Sequence, residues 1–302
     1  MKNSPDNKVV IVTGGSSGIG YATAENLLNK GAILCLIARD EKKLKQAAEN
    51  LERGKPGSKV QYYSCDVSNF EQLKNTVQKI VDVNKRIDWV INNAGVAEMG
   101  RFESQPLEVM HTVMNINYWG CVNLTLLTLP YLKQSNGAAL AFVSSVAGYI
   151  GLFGYTHYTH SKFALSGLAE CLRMEFADYN IPVTVIYPPD TATPMHEREK
   201  LLTLPECKAL SANAKEVPAS AVATTLVNGI MDGKFELYLN FESKLIRILR
   251  GLAPGMLWST VDGIVKKSRK DTGKKTDTNT PPQSFSGDNT SGTPSGQAQS
   301  RN

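Results

Sequence analysis

Short runs of apolar, often β-branched residues alternate along the chain with segments in which apolar residues recur at helical spacing. Seven such runs lie between Val9 and Leu239, and in chain order they read VVIVT, AILCLIA, KVQYYS, DWVINNA, ALAFVSS, VTVIYP and FELYL. Strands that are apolar at nearly every position are typical of parallel sheets, which helices cover on both faces. The pattern predicts an α/β fold: one doubly wound domain with a seven-stranded parallel sheet flanked by helices.

The pattern changes near residue 240. From Ser243 to Lys270, apolar residues alternate at helical spacing with basic ones, so this stretch either lies in a membrane interface or packs on the domain as a C-terminal helix. Residues 271–302 contain one aromatic residue and no aliphatic residue larger than alanine, which predicts a disordered tail. The predicted organisation is a domain at 8–240, an amphipathic basic segment at 241–270 and a tail at 271–302.

Composition indicates a globular intracellular protein. Hydrophobic residues make up 42% of the chain, which is enough for a sizeable core. Five cysteines are scattered without a C-x-x-C pair, which favours the reducing cytoplasm, with a peripheral position at the cytoplasmic face of a membrane if the amphipathic segment binds lipid. The polar N-terminus leads directly into the first apolar run, so no signal peptide is expected. The net charge of +5 is modest, and nucleic acid is not an expected partner.

A glycine-rich turn joins the first apolar run to the first helical pattern. It reads TGGSSGIG, Thr13 to Gly20, and its glycines permit a tight turn, close approach of the backbone to a ligand and close helix packing. The helix that follows offers free N–H groups and the positive end of its dipole to a phosphate. Within an alternation of strands and helices, this turn predicts a dinucleotide site and therefore a Rossmann domain.

The end of the second apolar run indicates which dinucleotide is bound. An acidic side chain at this point suits an unphosphorylated ribose, whereas an arginine suits a 2′-phosphate. The sequence here is Ala38, Arg39, Asp40. With Ala38 at the discriminating position, Arg39 can pair with the phosphate and the expected cofactor is NADPH. A register different by one residue would bring Asp40 to the ribose instead.

Tyr158 and Lys162 are four residues apart and therefore share a face if this segment is helical. A lysine ammonium beside a phenol is expected to lower the pKa of the phenol and so to make a tuned proton donor. Ser145 ends the fifth apolar run and can polarise a carbonyl group held at the same place. Ser144 is an alternative to Ser145, and Tyr155 is a weaker alternative to Tyr158 because Thr159 stands where the lysine should be.

Two histidines, His157 and His160, flank this tyrosine at a spacing that a metal site can use. No third Cys, His or carboxylate joins them in the sequence, and a zinc site takes at least three protein ligands. No metal site is therefore predicted, and both histidines are interpreted as pocket or surface residues.

Several motifs, in this order and spacing, resemble those of the short-chain dehydrogenase/reductase family: the glycine turn, NNAG after the fourth run, Ser145, and the Tyr158–Lys162 pair. The resemblance covers most of the predicted domain. It implies that Tyr158 donates a proton to a substrate carbonyl oxygen, that Ser145 polarises this oxygen, and that Lys162 holds the nicotinamide ribose while tuning Tyr158. It also implies that Asn117, in NINYWG, supports a water in a proton relay.

The resemblance also implies a set of cofactor contacts. Asp66 in CDVS corresponds to the residue that contacts the adenine, and Asn93 lies where the loop passes the cofactor. The residues expected to bind NADPH are Gly14, Ser16, Ser17, Gly18, Ile19, Gly20, Arg39, Asp66, Val67, Asn93, Ala94, Gly95, Tyr158, Lys162, Pro188, Thr191 and Thr193.

The loop after the sixth run reads YPPDTATP, where most family members have Pro-Gly-x-x-x-Thr. With SSVAG and GYTHYTHSK, it resembles the branch of the family that reduces 3-ketodihydrosphingosine, a long-chain keto lipid, to dihydrosphingosine. The resemblance implies contacts of Thr191 and Thr193 with the nicotinamide carboxamide and a nearby phosphate, while Pro189 stiffens the loop. A 3-oxoacyl or steroid-like ketone, and a non-catalytic cofactor-binding module that docks on membranes, are the alternatives. Homodimers or homotetramers are common in the family and are expected here.

Overall fold

The seven apolar runs form one parallel sheet in the computed structural model, which describes residues 3–212 and 214–271. Each strand is short, and most positions are buried because helices cover both faces. The strands are Val9–Thr13 (β1), Ile33–Ala38 (β2), Val60–Ser64 (β3), Trp89–Asn92 (β4), Ala139–Val143 (β5), Val183–Tyr187 (β6) and Glu236–Tyr238, which is β9 because two shorter strands precede it.

The order of the strands in the sheet is β3-β2-β1-β4-β5-β6-β9, and every pair is parallel. The chain therefore winds outward in one direction from β1 to β3 and in the other direction from β4 to β9. This reversal leaves a crevice at the carboxyl ends of β1 and β4, which is where doubly wound sheets bind ligands. The predicted fold class is confirmed.

Eleven helices lie in the described residues. In chain order, they are Gly18–Asn29 (α1), Glu41–Gly54 (α2), Phe70–Asn84 (α3), Leu107–Met114 (α4), Gly120–Leu132 (α5), Thr156–Glu175 (α6), Pro194–Leu202 (α7), Pro205–Leu210 (α8), Ala219–Asp232 (α9), Phe241–Leu252 (α10) and Pro254–Asp271 (α11). A π-helical turn, Asn115–Trp119, joins α4 to α5.

Two apolar layers hold the helices on the sheet. Leucines, valines and alanines of α1, α2 and α9 pack with Val10 and Val12 on one face of β1. Apolar residues of α3, α5 and α6 pack with Val9 and Ile11 on the other face. The alternation of neighbouring residues between the two layers is what a strand requires when both of its faces are buried.

A second, two-stranded parallel sheet was not predicted. It pairs Thr191–Ala192 (β7) with Val217–Pro218 (β8), and the polar helices α7 and α8 lie in the excursion between these strands. Strands of two residues carry no periodicity, so the apolar pattern could not reveal them. This small sheet fixes both ends of the excursion beside the carboxyl edge of the main sheet.

The C-terminal segment predicted at 241–270 forms two helices that pack on the domain. Tyr149 donates a hydrogen bond from its hydroxyl to the backbone oxygen of Ser243 at 2.8 Å, and Arg250 Nε donates to the backbone oxygen of Tyr149 at 3.0 Å. Further along, Arg269 Nε lies 3.3 Å from Glu206 on α8. Within residues 3–212 and 214–271, no helix is long and apolar enough to cross a membrane. The predicted tail lies outside the described residues except for Asp271, which ends α11.

Candidate active site

A single cleft of about 800 Å³ lies along the carboxyl edge of the sheet. It extends from the glycine turn and Arg39 to Ser145, Tyr158 and the loop after β6. Every predicted catalytic or cofactor-binding residue lines it, apart from Gly20 and Asn117. The topology therefore brings together residues from seven separate stretches of the sequence.

The glycine turn has the geometry that a phosphate site needs. Gly14 and Gly18 have φ angles of +67° and +55°, in the left-handed region where a side chain would be strained. Ser17 precedes α1 without capping it, and the first turn of α1 holds no acidic residue. The N–H groups and the positive end of the helix dipole therefore remain available to an anion, and the turn fits the pyrophosphate of a dinucleotide.

Asn93 holds the glycine turn in place from the neighbouring strand. Its Nδ2 donates to the backbone oxygen of Thr13 at 2.8 Å, and its backbone N–H donates to the Thr13 hydroxyl at 2.9 Å. Gly20 packs so closely here that an added Cβ would lie 2.5 Å from Asn93 Nδ2. The side chain of Asn93, expected to lie along the cofactor, thus mainly joins β4 to the turn, and the role of Gly20 is close packing.

Arg39 and Asp40, which follow β2, have different surroundings. The Asp40 carboxylate caps α2 by accepting a hydrogen bond from the Lys43 backbone N–H at 3.0 Å, and Lys43 Nζ lies 3.4 Å from the same side chain. These contacts with Lys43 lower the pKa of Asp40. The Arg39 side chain is exposed and lines the cleft. An arginine is therefore available at the cleft while the aspartate is engaged by its own helix.

The two adjacent serines at the end of β5 have different surroundings. The Ser144 hydroxyl is buried and contacts the backbone oxygen of Lys162 at 3.3 Å and the Ser166 hydroxyl at 3.2 Å, so it joins β5 to α6. Ser145 accepts a hydrogen bond from the Ala147 N–H at 3.1 Å, and its hydroxyl also hydrogen-bonds Tyr158. Ser145 is consequently the serine that can share a substrate oxygen with Tyr158.

Tyr158 lies in the first turn of α6 and faces the cleft. Burial and the negative charge of Glu199 raise the pKa of Tyr158, while the hydrogen bond with Ser145 lowers it. The expected net lowering of this pKa is thus not found in the protein alone, because enclosure in protein disfavours a phenolate more than its neighbours stabilise it. A phenol that keeps its proton at neutral pH is suited to donate it.

Lys162 is buried, with 4% of its surface exposed, and burial lowers its pKa to about 8. Its Nζ donates to the backbone oxygen of Val143 at 2.9 Å and lies 5.5 Å from the centre of the Tyr158 ring. Tyr155 also lines the cleft, but burial and nearby carboxylates raise its pKa and no lysine follows it by one helical turn. The Tyr158–Lys162 pair is therefore the one that combines a phenol with an ammonium at the cleft.

Asn117 lies behind the cleft wall, in the π-helical turn. Its Oδ1 accepts from the Val96 N–H at 2.8 Å, and its Nδ2 donates to the Val96 oxygen at 2.9 Å and to the Ser161 hydroxyl at 3.0 Å. The side chain thus ties the loop after β4 to α6, and the π turn allows a helix residue to reach both. In this structure, Asn117 positions the site and does not line it.

A model of the short chain dehydrogenase family matches residues 8–201, which is more than half of the chain. The chain belongs to this family. It is an oxidoreductase that acts on CH–OH groups and binds a nicotinamide cofactor. The predicted resemblance is thus confirmed, and the glycine turn, the helix N-terminus and the cleft beyond them fit such a cofactor.

Family members from several organisms are similar over most of their length. The chain is 37% identical over 264 residues to a 3-ketodihydrosphingosine reductase of Dictyostelium discoideum, which covers 82% of this chain and 79% of that one. It is 40% identical over 249 residues to a 3-dehydrosphinganine reductase of Danio rerio, covering 81% and 75%. An 11-beta-hydroxysteroid dehydrogenase-like protein, 4A, of Arabidopsis thaliana is 33% identical over 241 residues, covering 76% and 75%.

Solved structures of the family have the same fold. Levodione reductase superposes with a TM-score of 0.70 at 23% identity, covering 79% of this chain and 98% of that one. A short-chain dehydrogenase/reductase of Burkholderia phymatum in complex with NAD has a TM-score of 0.70 at 22% identity, covering 93% and 99%. Both likenesses support the assignment of the fold.

The proline-rich loop after β6 closes one side of the cleft. The Val146 N–H donates to the Pro188 oxygen at 3.1 Å, and the Thr191 hydroxyl donates to the Pro189 oxygen at 2.7 Å. Thr193 caps α7 by accepting from the His196 N–H at 3.2 Å. Its methyl group lies beside the glycine turn, since a Cβ on Gly18 would be 3.1 Å from Thr193 Cγ2. The loop therefore joins the two ends of the cofactor cleft.

The two histidines that flank the tyrosine have separate surroundings. His157 is buried edge-on against Phe102, and burial lowers its pKa. His160 Nδ1 contacts the backbone oxygen of Thr156 at 2.8 Å. Among the residues that the structure describes, no three His, Cys, Asp or Glu side chains are grouped in a way that could hold a metal ion.

Sequence reasoning missed the functional side chains on α7. The helix reads PMHEREKLL, a polar pattern typical of a solvated surface helix, yet His196 and Glu199 both line the cleft and are only 16% and 14% exposed. The excursion between β7 and β8 folds this helix over the cleft. The short strands that cause it were not visible in the sequence, and no other signal marks the helix.

Proposed function

We propose that the protein reduces 3-ketodihydrosphingosine to dihydrosphingosine with NADPH. The observation that carries the proposal is the 36–40% identity to 3-ketodihydrosphingosine reductases of animals and Dictyostelium over about four fifths of this chain. It is supported by a cleft in which Ser145, Tyr158 and Lys162 lie together beside a dinucleotide site. The 11-beta-hydroxysteroid dehydrogenase-like relatives make a steroid-like ketone the competing substrate.

The proposed chemistry follows from the three side chains. The Ser145 and Tyr158 hydroxyls bind the substrate carbonyl oxygen, where negative charge grows as the carbonyl carbon is reduced. Tyr158 then gives its proton to this oxygen, which yields the alcohol. The buried Lys162 ammonium stabilises the resulting phenolate and would hydrogen-bond the nicotinamide ribose of a bound cofactor. The nicotinamide cofactor supplies the hydride when it is bound.

The preference for NADPH rests on the end of β2. Arg39 has an exposed guanidinium at the cleft, which suits bidentate pairing with a 2′-phosphate. The carboxylate that would repel such a phosphate, Asp40, is paired with Lys43. Asp40 and Lys43 both line this end of the cleft and their charges offset each other, so the net charge of the three side chains is that of Arg39.

A long-chain lipid substrate requires an apolar route to the carbonyl site. Leu152, Phe153 and Ile246 line the cleft opposite the glycine turn. Beyond them, α10 exposes Leu245, Ile248 and Leu252, which follow one another at helical spacing. We infer that residues 243–270 contact a membrane peripherally with this stripe while their other face packs on the domain.

Vesicle binding tests this membrane contact. Co-sedimentation with anionic phospholipid vesicles should fall at least about tenfold when Leu245, Ile248 and Leu252 are all changed to Glu, because buried apolar area drives interfacial binding. Val83→Glu, which alters an exposed apolar residue on α3, is the matched control and should bind like the unchanged protein. Equal sedimentation of the triple variant and this control would refute the contact.

The expected homodimer or homotetramer stays a proposal. Trp119, at the end of the π-helical turn, and Leu126, on α5, expose apolar surface, which supports association of identical chains. Sedimentation equilibrium should give a mass of two or four chains, and a single-chain mass at micromolar concentration would contradict it.

A panel of ketones with purified protein tests the proposed activity. NADPH consumption should be fastest in kcat/KM with 3-ketodihydrosphingosine, slower with a 3-oxoacyl thioester or a steroid ketone, and weaker with NADH throughout. A higher kcat/KM for the steroid would favour the competing assignment. NADPH binding without turnover of any ketone would indicate a non-catalytic module.

A further inference from the structure

The wall of the cleft that α7 forms contains a carboxyl group that the proposed chemistry does not use. Glu199 on α7 is 14% exposed and lines the cleft together with Tyr158. Its Oε2 lies 3.3 Å from His196 Nδ1. Its Oε1 has no hydrogen-bond partner within residues 3–212 and 214–271. Burial raises the pKa of Glu199, as is expected for a carboxyl group enclosed beside apolar and like-charged neighbours.

The position of this carboxylate is unfavourable for the reduction of a neutral ketone. After burial, the charge of Glu199 is the main cause that raises the pKa of Tyr158, and it also raises the pKa of Tyr155. A carboxylate that repels the developing phenolate makes Tyr158 a weaker proton donor. A site for an uncharged ketone would gain activity from a neutral residue here.

The surrounding cations offset this charge only in part, although the contact with His196 acts to lower the pKa of Glu199. His196 is shared between two carboxylates, because its Nε2 lies 3.3 Å from Glu216 Oε1 while its Nδ1 faces Glu199. Lys200 pairs with Glu216 and with Glu197, at 2.6 Å in both cases. These three carboxylates thus face one lysine and one histidine, and even a protonated histidine leaves the group negative.

Two further carboxylates act on Glu199, and the cleft lysines Lys208 and Lys215 form no ion pair with it among the described residues. Asp190 and Glu98 both raise the pKa of Glu199. Arg198 contacts Glu98 at 2.9 Å. In the part of the chain that the structure describes, no lysine or arginine forms an ion pair with Glu199. The carboxylate beside the proton donor is therefore available to a cation that enters the cleft.

We propose that Glu199 binds the ammonium group that lies next to the carbonyl group of the substrate, and so selects a 2-amino-3-ketone over a neutral ketone. The proposal rests on the proposed function, because 3-ketodihydrosphingosine carries an amino group on the carbon beside its ketone. An ammonium bound through Glu199 Oε1 lies within reach of the same pocket that holds the carbonyl oxygen at Tyr158.

Amine binding also restores the acidity of the proton donor. An ammonium group compensates the charge of Glu199, so the phenolate of Tyr158 is no longer repelled when the correct substrate is bound. Recognition of the amine is thereby coupled to the chemical step. The amine should raise kcat as well as lower KM, because its contact is stronger in the transition state, where negative charge grows on Tyr158, than in the enzyme–substrate complex.

Two ketones that differ only in the amino group separate this proposal from the proposed function. The full chain is assayed at about pH 6.5, where an amine of this kind is protonated, with 3-ketodihydrosphingosine and with its neutral counterpart 1-hydroxyoctadecan-3-one. The unchanged protein should prefer the amino ketone by at least about tenfold in kcat/KM, the effect of one charge-assisted contact. Turnover of neither ketone defeats the proposed function, whereas equal turnover of both defeats only the role of Glu199.

The variant Glu199→Gln sharpens the test. It should lose at least about tenfold in kcat/KM for the amino ketone and gain activity on the neutral ketone, because Tyr158 is no longer repelled. Glu197→Gln, on the exposed side of the same helix, should keep the original preference. A Glu199→Gln protein that still prefers the amino ketone as strongly as the unchanged protein would overturn the proposal.

A measurement on the unchanged protein covers the case in which Glu199→Gln does not fold. Dihydrosphingosine should inhibit NADPH-dependent turnover at least about tenfold more tightly than octadecane-1,3-diol, which lacks the amine. Equal inhibition by the two alcohols would overturn the role of Glu199.

Discussion

Lys162 donates a hydrogen bond from Nζ to the backbone oxygen of Val143 over 2.9 Å, and so joins α6 to the carboxyl end of β5. The ammonium is buried, and its pKa falls to about 8 from an ordinary value of 10.5. Enclosing this charge therefore reduces the stability of the fold. Lys162 lies where its ammonium would contact both the phenolate of Tyr158 and the ribose of a bound cofactor.

Lys162→Met should therefore stabilise the protein while it abolishes reduction. The difference between 10.5 and about 8 corresponds to at most about 3 kcal/mol, and loss of the bond to Val143 reduces the gain to about 1–2 kcal/mol near pH 7. Urea unfolding followed by circular dichroism measures it. A variant that is less stable than the unchanged protein near pH 7 would contradict this explanation.

The stability difference should also depend on pH in a definite direction. Between about pH 8 and 10.5 the folded protein has lost the Lys162 proton while the unfolded chain keeps it. The unfolded state then binds more protons, so the stability of the unchanged protein rises with pH relative to the methionine variant. The advantage of Lys162→Met should accordingly shrink across this range. A constant difference would show that burial of the charge is not its cause.

Replacement of the proton donor separates Tyr158 from its neighbour. Tyr158→Phe should lower kcat by about 10²- to 10⁴-fold, the usual contribution of a general acid, because no other hydroxyl can deliver the proton. Tyr155→Phe, whose ring centre is 6.1 Å from that of Tyr158, is the matched control and should keep most of the activity. Comparable losses in the two variants would contradict the assignment.

The adjacent serines should respond in opposite ways. Ser145→Ala should lower kcat by about 10²-fold because it removes a donor to the developing oxyanion, with little change in stability. Ser144→Ala should leave kcat within a few fold but lower the free energy of unfolding by about 1 kcal/mol. The buried Ser144 hydroxyl contacts the Ser166 hydroxyl on α6, and the variant loses this contact. Steady-state kinetics and urea unfolding of both variants check this, and a reversed pattern would contradict it.

Cofactor choice should depend on Arg39. Arg39→Ala should lower kcat/KM for NADPH by about 10- to 100-fold, the value of a charge-assisted contact with phosphate, and should leave NADH almost unaffected. Asp40→Asn retains a helix-capping side chain and should keep the NADPH preference. An unchanged ratio of NADPH to NADH in Arg39→Ala would place the phosphate elsewhere.

The sequence was sufficient to predict the sheet and to bring most of the candidate site residues to one cleft, for a physical reason. Buried parallel strands are continuous apolar runs, and in a doubly wound sheet their carboxyl ends converge, so Ser145 and the glycine turn had to meet. The role of Asn117 in a water relay stays a prediction, and its motif does not reveal that its amide binds Val96 and Ser161.

Electrostatics at the site could not be predicted from spacing. The Tyr158–Lys162 pair suggested a lowered phenol pKa, but enclosure by protein and the charge of Glu199 reverse the direction. Neither burial nor Glu199 could be anticipated, because α7 resembles a solvated helix and reaches the cleft only through the short pairing of β7 with β8. Local sequence patterns do not show which distant segments contribute side chains to the site.

Transfer of a labelled hydride from NADPH to 3-ketodihydrosphingosine is the most direct test of the proposed reduction. The protein is incubated with 3-ketodihydrosphingosine and NADPH that carries deuterium at the transferable position of its nicotinamide ring, and the lipid product is analysed by mass spectrometry. The unchanged protein should give dihydrosphingosine with deuterium on the carbinol carbon, and Tyr158→Phe should give almost none. Absence of labelled product from the unchanged protein, or equal labelling by the variant, would contradict it.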